Sequence, residues 1–85
     1  MREMEFKMER PGKLEIGQSV IVNEGVLPSN YYYTIGVPED PSLAMSANIP
    51  FTKRLLSKEG VVADIETTPR GSYVKAQFDE DEPED

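Results

Sequence analysis

Neither cysteine nor histidine occurs in these 85 residues. Without cysteine there are no disulfides and no thiolate metal sites to staple a small fold, so packing alone must hold it. Together the two absences remove the commonest general base, the commonest metal ligand and the most reactive nucleophile. Long apolar runs are missing too: Val20-Ile21-Val22 with its neighbours is the longest, far short of the roughly 20 residues of a membrane helix. Met1 to Arg10 alternates charge with apolarity and has no apolar h-region, so no signal peptide is expected and the chain reads as cytoplasmic, not membrane-spanning. No Gly-x-Ser-x-Gly, Ser-x-x-Lys or phosphate-cradling glycine loop is present, and the acids do not follow an EF-hand pattern. The expectation is therefore no enzyme, no cofactor and no metal site.

What is present is acidic, but unevenly so. The formal net charge is −7, yet six of the sixteen acids fall in Asp79 to Asp85, which leaves ten acids against nine bases over residues 1–78. A run of like charges interrupted by proline repels itself and buries nothing. Residues 79–85 thus read as a disordered, solubilising acidic tail, or as a tail that binds a partner, and residues 1–78 as one domain. A chain this short buries only about 60% of its unfolded surface, which permits one modest core.

The periodicity is that of β-structure. Glu3-Met4-Glu5-Phe6-Lys7-Met8-Glu9 alternates with period two, a half-buried strand. Pro11 and Gly12 hold the second and third positions of a type II turn. A strand over 18–23 follows, with Gly17 a bulge or tight bend before it. Val61 to Glu66 and Ser72 to Phe78 flank Thr67-Thr68-Pro69-Arg70-Gly71, the pattern of a hairpin in which Pro69 fixes φ at the second position of a type I turn and Gly71 takes the left-handed conformation that completes a bulged loop. Strict alternation along that hairpin puts Val61, Ala63 and Ile65 on one face and Val74, Ala76 and Phe78 on the facing row. The expected core is these six with Phe6, Val20 and Val22. Gly60 marks a close backbone approach or a positive φ. Residues 24–59 hold four of the seven prolines and no sustained period. They read as a long irregular insertion containing a strand at Tyr31–Ile35 and single helical turns at Asp40–Met45 and Thr52–Lys58.

Two features suit binding. Tyr31-Tyr32-Tyr33, if alternating along a strand, buries some rings and exposes at least one, and exposed tyrosines are enriched at recognition surfaces. The bases Lys53, Arg54 and Lys58, with Arg70 and Lys75 near the hairpin, form either a scattered solvated surface or a face that grips RNA. The insertion supplies most of the tyrosines and a length that a small barrel does not require. A partner surface is therefore expected between it and the hairpin, at Tyr31, Tyr33, Arg54, Arg70 and Tyr73.

The order Gly17-x-x-Val20-Ile21-Val22, then Glu59-Gly60-Val61-Val62-Ala63-Asp64-Ile65, then Tyr73-Val74-Lys75-Ala76-Gln77-Phe78-Asp79 resembles the SH3-like small barrels, especially the KOW type. It covers about 30 of the 85 residues. The resemblance implies a mainly β fold, an SH3-like antiparallel barrel of about five strands carrying the insertion. KOW domains usually have a short basic loop where this chain has 36 residues. Three functions stay open. The first is a non-enzymatic protein- or peptide-interaction module, or a small accessory subunit of a bacterial or phage assembly. The second is an RNA- or ribosome-associated KOW-like domain, and the third an acidic mimic of nucleic acid.

Overall fold

A computed structural model describes residues 1–9 and 12–83. Its strands are β1 (Arg2–Met8), β2 (Ser19–Val26), β3 (Asn30–Val37), β4 (Asp40–Ser46), β5 (Ile49–Pro50), β6 (Glu59–Thr68) and β7 (Gly71–Phe78). The neighbour order β2-β6-β7-β1-β4-β3 closes on itself through an antiparallel β2–β3 pairing, giving a six-stranded antiparallel barrel. The short β5 is one extra strand, laid on β3. One 3-10 turn, Phe51–Lys53, is the only helical element among the described residues, and no helix there is long and apolar enough to cross a membrane.

The alternation read in β1 is realised: Arg2, Met4, Phe6 and Met8 point inward and the residues between them outward. The hairpin is realised as well, but with a two-residue loop in place of the bulged one: the ladder runs unbroken through Thr67–Ser72 to Thr68 paired with Gly71 across Pro69-Arg70, and Gly71 sits at φ 138°, a backbone that favours glycine. The type II turn after β1 begins at Arg10-Pro11, outside the described residues.

The barrel has six strands rather than about five, and residues 24–59 are not an irregular insertion. They supply the end of β2, all of β3 and β4, and β5. Tyr31–Ile35 lies within β3. Asp40–Met45 is strand where a helical turn was expected. Its Asp-Pro start suits a helix, but Ala44 and Met45 pair with β1 on one side and β3 on the other, and ladder pairing on both sides outweighs one local cap. Pro41 lies in the part of β4 that β1 does not pair, where a missing N–H is tolerated.

Of the second expected helical turn, Thr52–Lys58, only its start turns, because tertiary partners take the backbone groups a helix would need. The carbonyls of Lys53 and Arg54 accept from the buried Arg2 guanidinium at 2.6 and 3.1 Å. The Leu55 N–H donates to the Tyr33 hydroxyl at 2.8 Å, those of Leu56 and Ser57 donate to the Glu80 carboxylate, and the Lys58 carbonyl accepts from Val22.

The core also departs from the expected list at one strand. Phe6, Val20, Val74, Ala76 and Phe78 are buried, and Val22 and Ile65 pack against them. Val61 is 43% exposed, Ala63 only half-buried, and Val62 takes their place at 1%. The cause is a bulge: Val62 opposes Ala76 and Asp64 opposes Lys75, so Ala63 is the extra residue and the side-chain alternation changes phase across it. Gly60 fits the close-approach reading, since a Cβ there would meet the Phe78 ring at 2.5 Å and the Gln77 carbonyl oxygen at 2.8 Å. Buried Met4, Met8, Leu14, Tyr33, Ile35, Leu43, Ala44 and Leu55 complete the core.

Candidate docking surfaces

At one end of the barrel β3 presents Tyr31 and Tyr33 on the same side, two residues apart. Tyr33 is 1% exposed, and its hydroxyl donates to Glu24 Oε2 at 2.9 Å while accepting from the Leu55 N–H. Burial pushes this phenol up to about 12, the Leu55 bond opposing and the Glu24 carboxylate adding to the shift. Tyr31, farther out, meets the exposed Phe51 edge-on with centroids 4.8 Å apart, and the Arg54 guanidinium carbon lies 5.1 Å from its ring centre. Arg54 also grips Glu24 with two hydrogen bonds of 2.9 Å, a bidentate pair. That bond leads in holding the Glu24 carboxyl below its ordinary range; burial opposes it and the Tyr33 hydroxyl assists.

Glu80 ties the chain's far end to this region. Its carboxylate accepts from the Leu56 N–H, the Ser57 N–H and the Ser57 hydroxyl, and pairs with Arg2 at 3.3 Å. Burial pushes the Glu80 carboxyl up, but the Ser57, Leu56 and Arg2 donors outweigh it and hold it below the ordinary value.

A wider concavity lies between β1 and the β4–β5 run. β4 pairs with β1 only at Phe6, Lys7 and Met8. Ser46 ends the regular β3–β4 ladder, its hydroxyl accepting from the Tyr33 N–H and donating to the Ala47 carbonyl. The chain then stays with β3 through β5 and parts from β1. The resulting groove of about 630 Å³ is lined by Met4, Met45, Ala47, Ile49 and Tyr73, with Glu5, Lys7 and Glu9 along the β1 wall. That volume falls within the roughly 300–1,000 Å³ of ligand clefts. Tyr73, Lys7 and Met45 form one outward row across β7, β1 and β4.

The five residues expected to form one surface fall into two groups. Tyr31, Tyr33 and Arg54 belong to the barrel-end cluster, whereas Arg70 and Tyr73 line a second groove of about 470 Å³ with Glu5, Glu66, Thr68 and Pro69. Tyr73 is shared with the wider groove, whose opposite wall, Met45 to Ile49, comes from the 24–59 stretch. Sequence reasoning passed over Glu24, Phe51 and Glu80, whose positions depend on contacts across the fold, and over Met45 and Ile49, which gave no local signal beyond apolarity. The bases are interleaved with acids: Arg54 with Glu24, Arg2 with Glu80, and Lys75 in register between Glu5 and Asp64. Among the described residues no group of three or more acidic side chains is placed to hold a metal ion. No known protein family matches the chain, and no curated protein or solved structure resembles it significantly.

Proposed function

We infer that this domain is a non-enzymatic interaction module that docks a protein or peptide segment. The observation that carries this reading is the groove beside β1, open to solvent and floored by Met4, Met45, Ala47, Ile49 and Tyr73. Apolar walls with a few polar groups at the rim suit a side-chain-bearing partner. The interleaved charges argue against phosphate, because a nucleic-acid surface needs unopposed cations to release counterions, and Arg54 is committed to Glu24. The SH3-like reading of the barrel belongs to this proposal. The segments that carry the resemblance, β2, β6 and β7, are consecutive neighbours in the sheet, which supports that reading, and the β3–β4 hairpin enlarges the barrel.

The test is an NMR titration of the isotope-labelled chain with a panel of unstructured peptides and with mixed-sequence single-stranded RNA, at low and moderate salt. Peptides are expected to shift Lys7, Met45, Ala47, Ile49 and Tyr73, with weak dependence on salt. RNA binding that falls steeply with salt and shifts Lys53, Arg54, Lys58, Arg70 and Lys75 would transfer the function to nucleic acid. A panel in which no peptide perturbs the groove would remove the reading altogether.

A further inference from the structure

The groove has a property beyond its apolar lining: one wall is an unpaired strand edge. Successive N–H groups of a strand point to alternate sides. The Glu9 N–H donates to the Leu43 carbonyl of the β4 run at 2.9 Å, so the N–H groups of Lys7, Glu5 and Glu3 face that same side. There β4 pairs only from Phe6 onward, leaving the edge at Glu3–Glu5 without a partner strand. An independent contact agrees: the Glu3 N–H donates at 2.7 Å to a side chain, the Glu82 carboxylate. That carboxylate stands where the carbonyl of a neighbouring strand would stand.

The charge along this edge is of one sign apart from Lys7. Glu3 and Glu5 are exposed on β1 and Glu9 just beyond its end, and the Glu5 and Glu9 carboxylates form no hydrogen bond or ion pair with the described residues. Acids on an edge strand protect it from pairing with a second copy, since β1 against β1 would bring glutamates together. The same acids would favour a cationic strand, which makes the protection selective.

Resting on the peptide-docking reading above, we propose that the β1 edge binds an extended peptide segment in which basic and apolar residues alternate. The segment adds as a strand along Glu3–Glu5 and displaces the Glu82 carboxylate. Period-two alternation sends its apolar side chains to Met4, Ala47 and Ile49 and its basic ones to the exposed Glu3 and Glu5.

The test uses the full chain and three short synthetic peptides: alternating lysine and valine, alternating glutamate and valine, and the lysine–valine peptide N-methylated at alternate residues so that one edge cannot pair. The lysine–valine peptide is expected to shift the amides of Glu3, Glu5, Ala47, Ile49 and Glu82. N-methylation should weaken it about tenfold or more, the usual net worth of two lost hydrogen bonds. Glu5→Lys, on an exposed side chain, should reduce the preference for lysine–valine over glutamate–valine several-fold, and Glu82→Ala should tighten lysine–valine binding several-fold. Equal binding of the parent and N-methylated peptides at the groove overturns strand addition while leaving peptide docking intact. Equal binding of the lysine and glutamate peptides overturns the basic partner, and unchanged affinity in Glu82→Ala overturns the displacement. If none of the three shifts the groove, this inference fails, and the broader peptide panel decides whether the docking reading falls with it.

Discussion

Tyr33→Phe isolates one hydroxyl on which several contacts converge. The ring stays and keeps its packing, so the loss is confined to the donor bond to Glu24 and the acceptor for the Leu55 N–H. Glu24 retains both Arg54 bonds and loses little. Leu55 is buried, and its N–H is left without an acceptor, which costs about 1–3 kcal/mol. We therefore expect a loss near 2 kcal/mol, or roughly 10 °C in Tm for a domain of this size. Urea unfolding should show a lower midpoint at unchanged slope.

Tyr31→Phe is the control. Its hydroxyl makes no hydrogen bond with the described residues, so the change should stay within about 0.5 kcal/mol. The pH dependence gives a second readout. An unfolded phenol ionises near its ordinary value of 10.0 and the folded Tyr33 at about 12. Above pH 10 the unfolded state releases a proton that the folded state keeps, so this contribution is complete below pH 10 and is lost as pH rises through about 12. At about 1.4 kcal/mol per unit, up to roughly 3 kcal/mol is at stake, and Tyr33→Phe should lack that share of the alkaline loss. A Tyr33→Phe protein as stable as its parent, with the same alkaline profile, would refute the assignment of the Leu55 amide to the phenol.

Other substitutions test the remaining parts of the fold. Phe78→Ala empties a fully buried site beside Phe6, whose ring centroid is 6.1 Å away, and should cost about 3–5 kcal/mol by thermal or urea unfolding. A protein that melts like the parent would contradict the core. Val62→Ala should cost about 2 kcal/mol while Val61→Ala stays within about 0.5 kcal/mol in the same unfolding assay, and the reverse order would mean that the bulge at Ala63 is misplaced. Glu80→Ala removes the acceptor of the Leu56 and Ser57 amides and the Arg2 ion pair, and should cost about 2 kcal/mol near neutral pH. Because the folded Glu80 carboxyl lies below its ordinary value of 4.5, its contribution is present above pH 4.5 and lost as pH falls through the folded value. Acid unfolding of Glu80→Ala should therefore show a weaker pH dependence over that range than the parent, as followed by circular dichroism.

Much of the β-structure was legible locally because a strand with one buried face writes its period directly into the sequence. β1 alternates without a break, and Pro69 and Gly71 mark the β6–β7 hairpin where it turns. Local signals misled where distant pairing overrode them. Asp40-Pro41 reads as a helix start, but β1 and β3 claim the strand that follows, and no property of residues 40–46 alone reports that both neighbours are there. The bulge at Ala63 has no sequence mark either: Val61, Val62 and Ala63 are all apolar, and only the partners across β7 decide which of them turns inward.

For the candidate sites the division is sharper. Composition drew attention to Tyr31, Tyr33, Arg54 and Tyr73, since aromatic and guanidinium groups are the usual materials of recognition. It could not separate the barrel-end cluster from the grooves that Tyr73 lines, because that separation depends on where β3 and β7 lie around the barrel. Nor could it assign Glu24 to Arg54, 30 residues away, or Glu80 to the Ser57 amide, 23 residues away. The sequence by itself determined which faces of β1 and of much of the hairpin are apolar, where the hairpin turns and which chemistries its side chains lack, since each follows from neighbours in the chain. Closure of the barrel, the open edge beside β1 and the pairing of each charge were decided only by the tertiary structure, because a hydrogen bond or ion pair depends on distance in space.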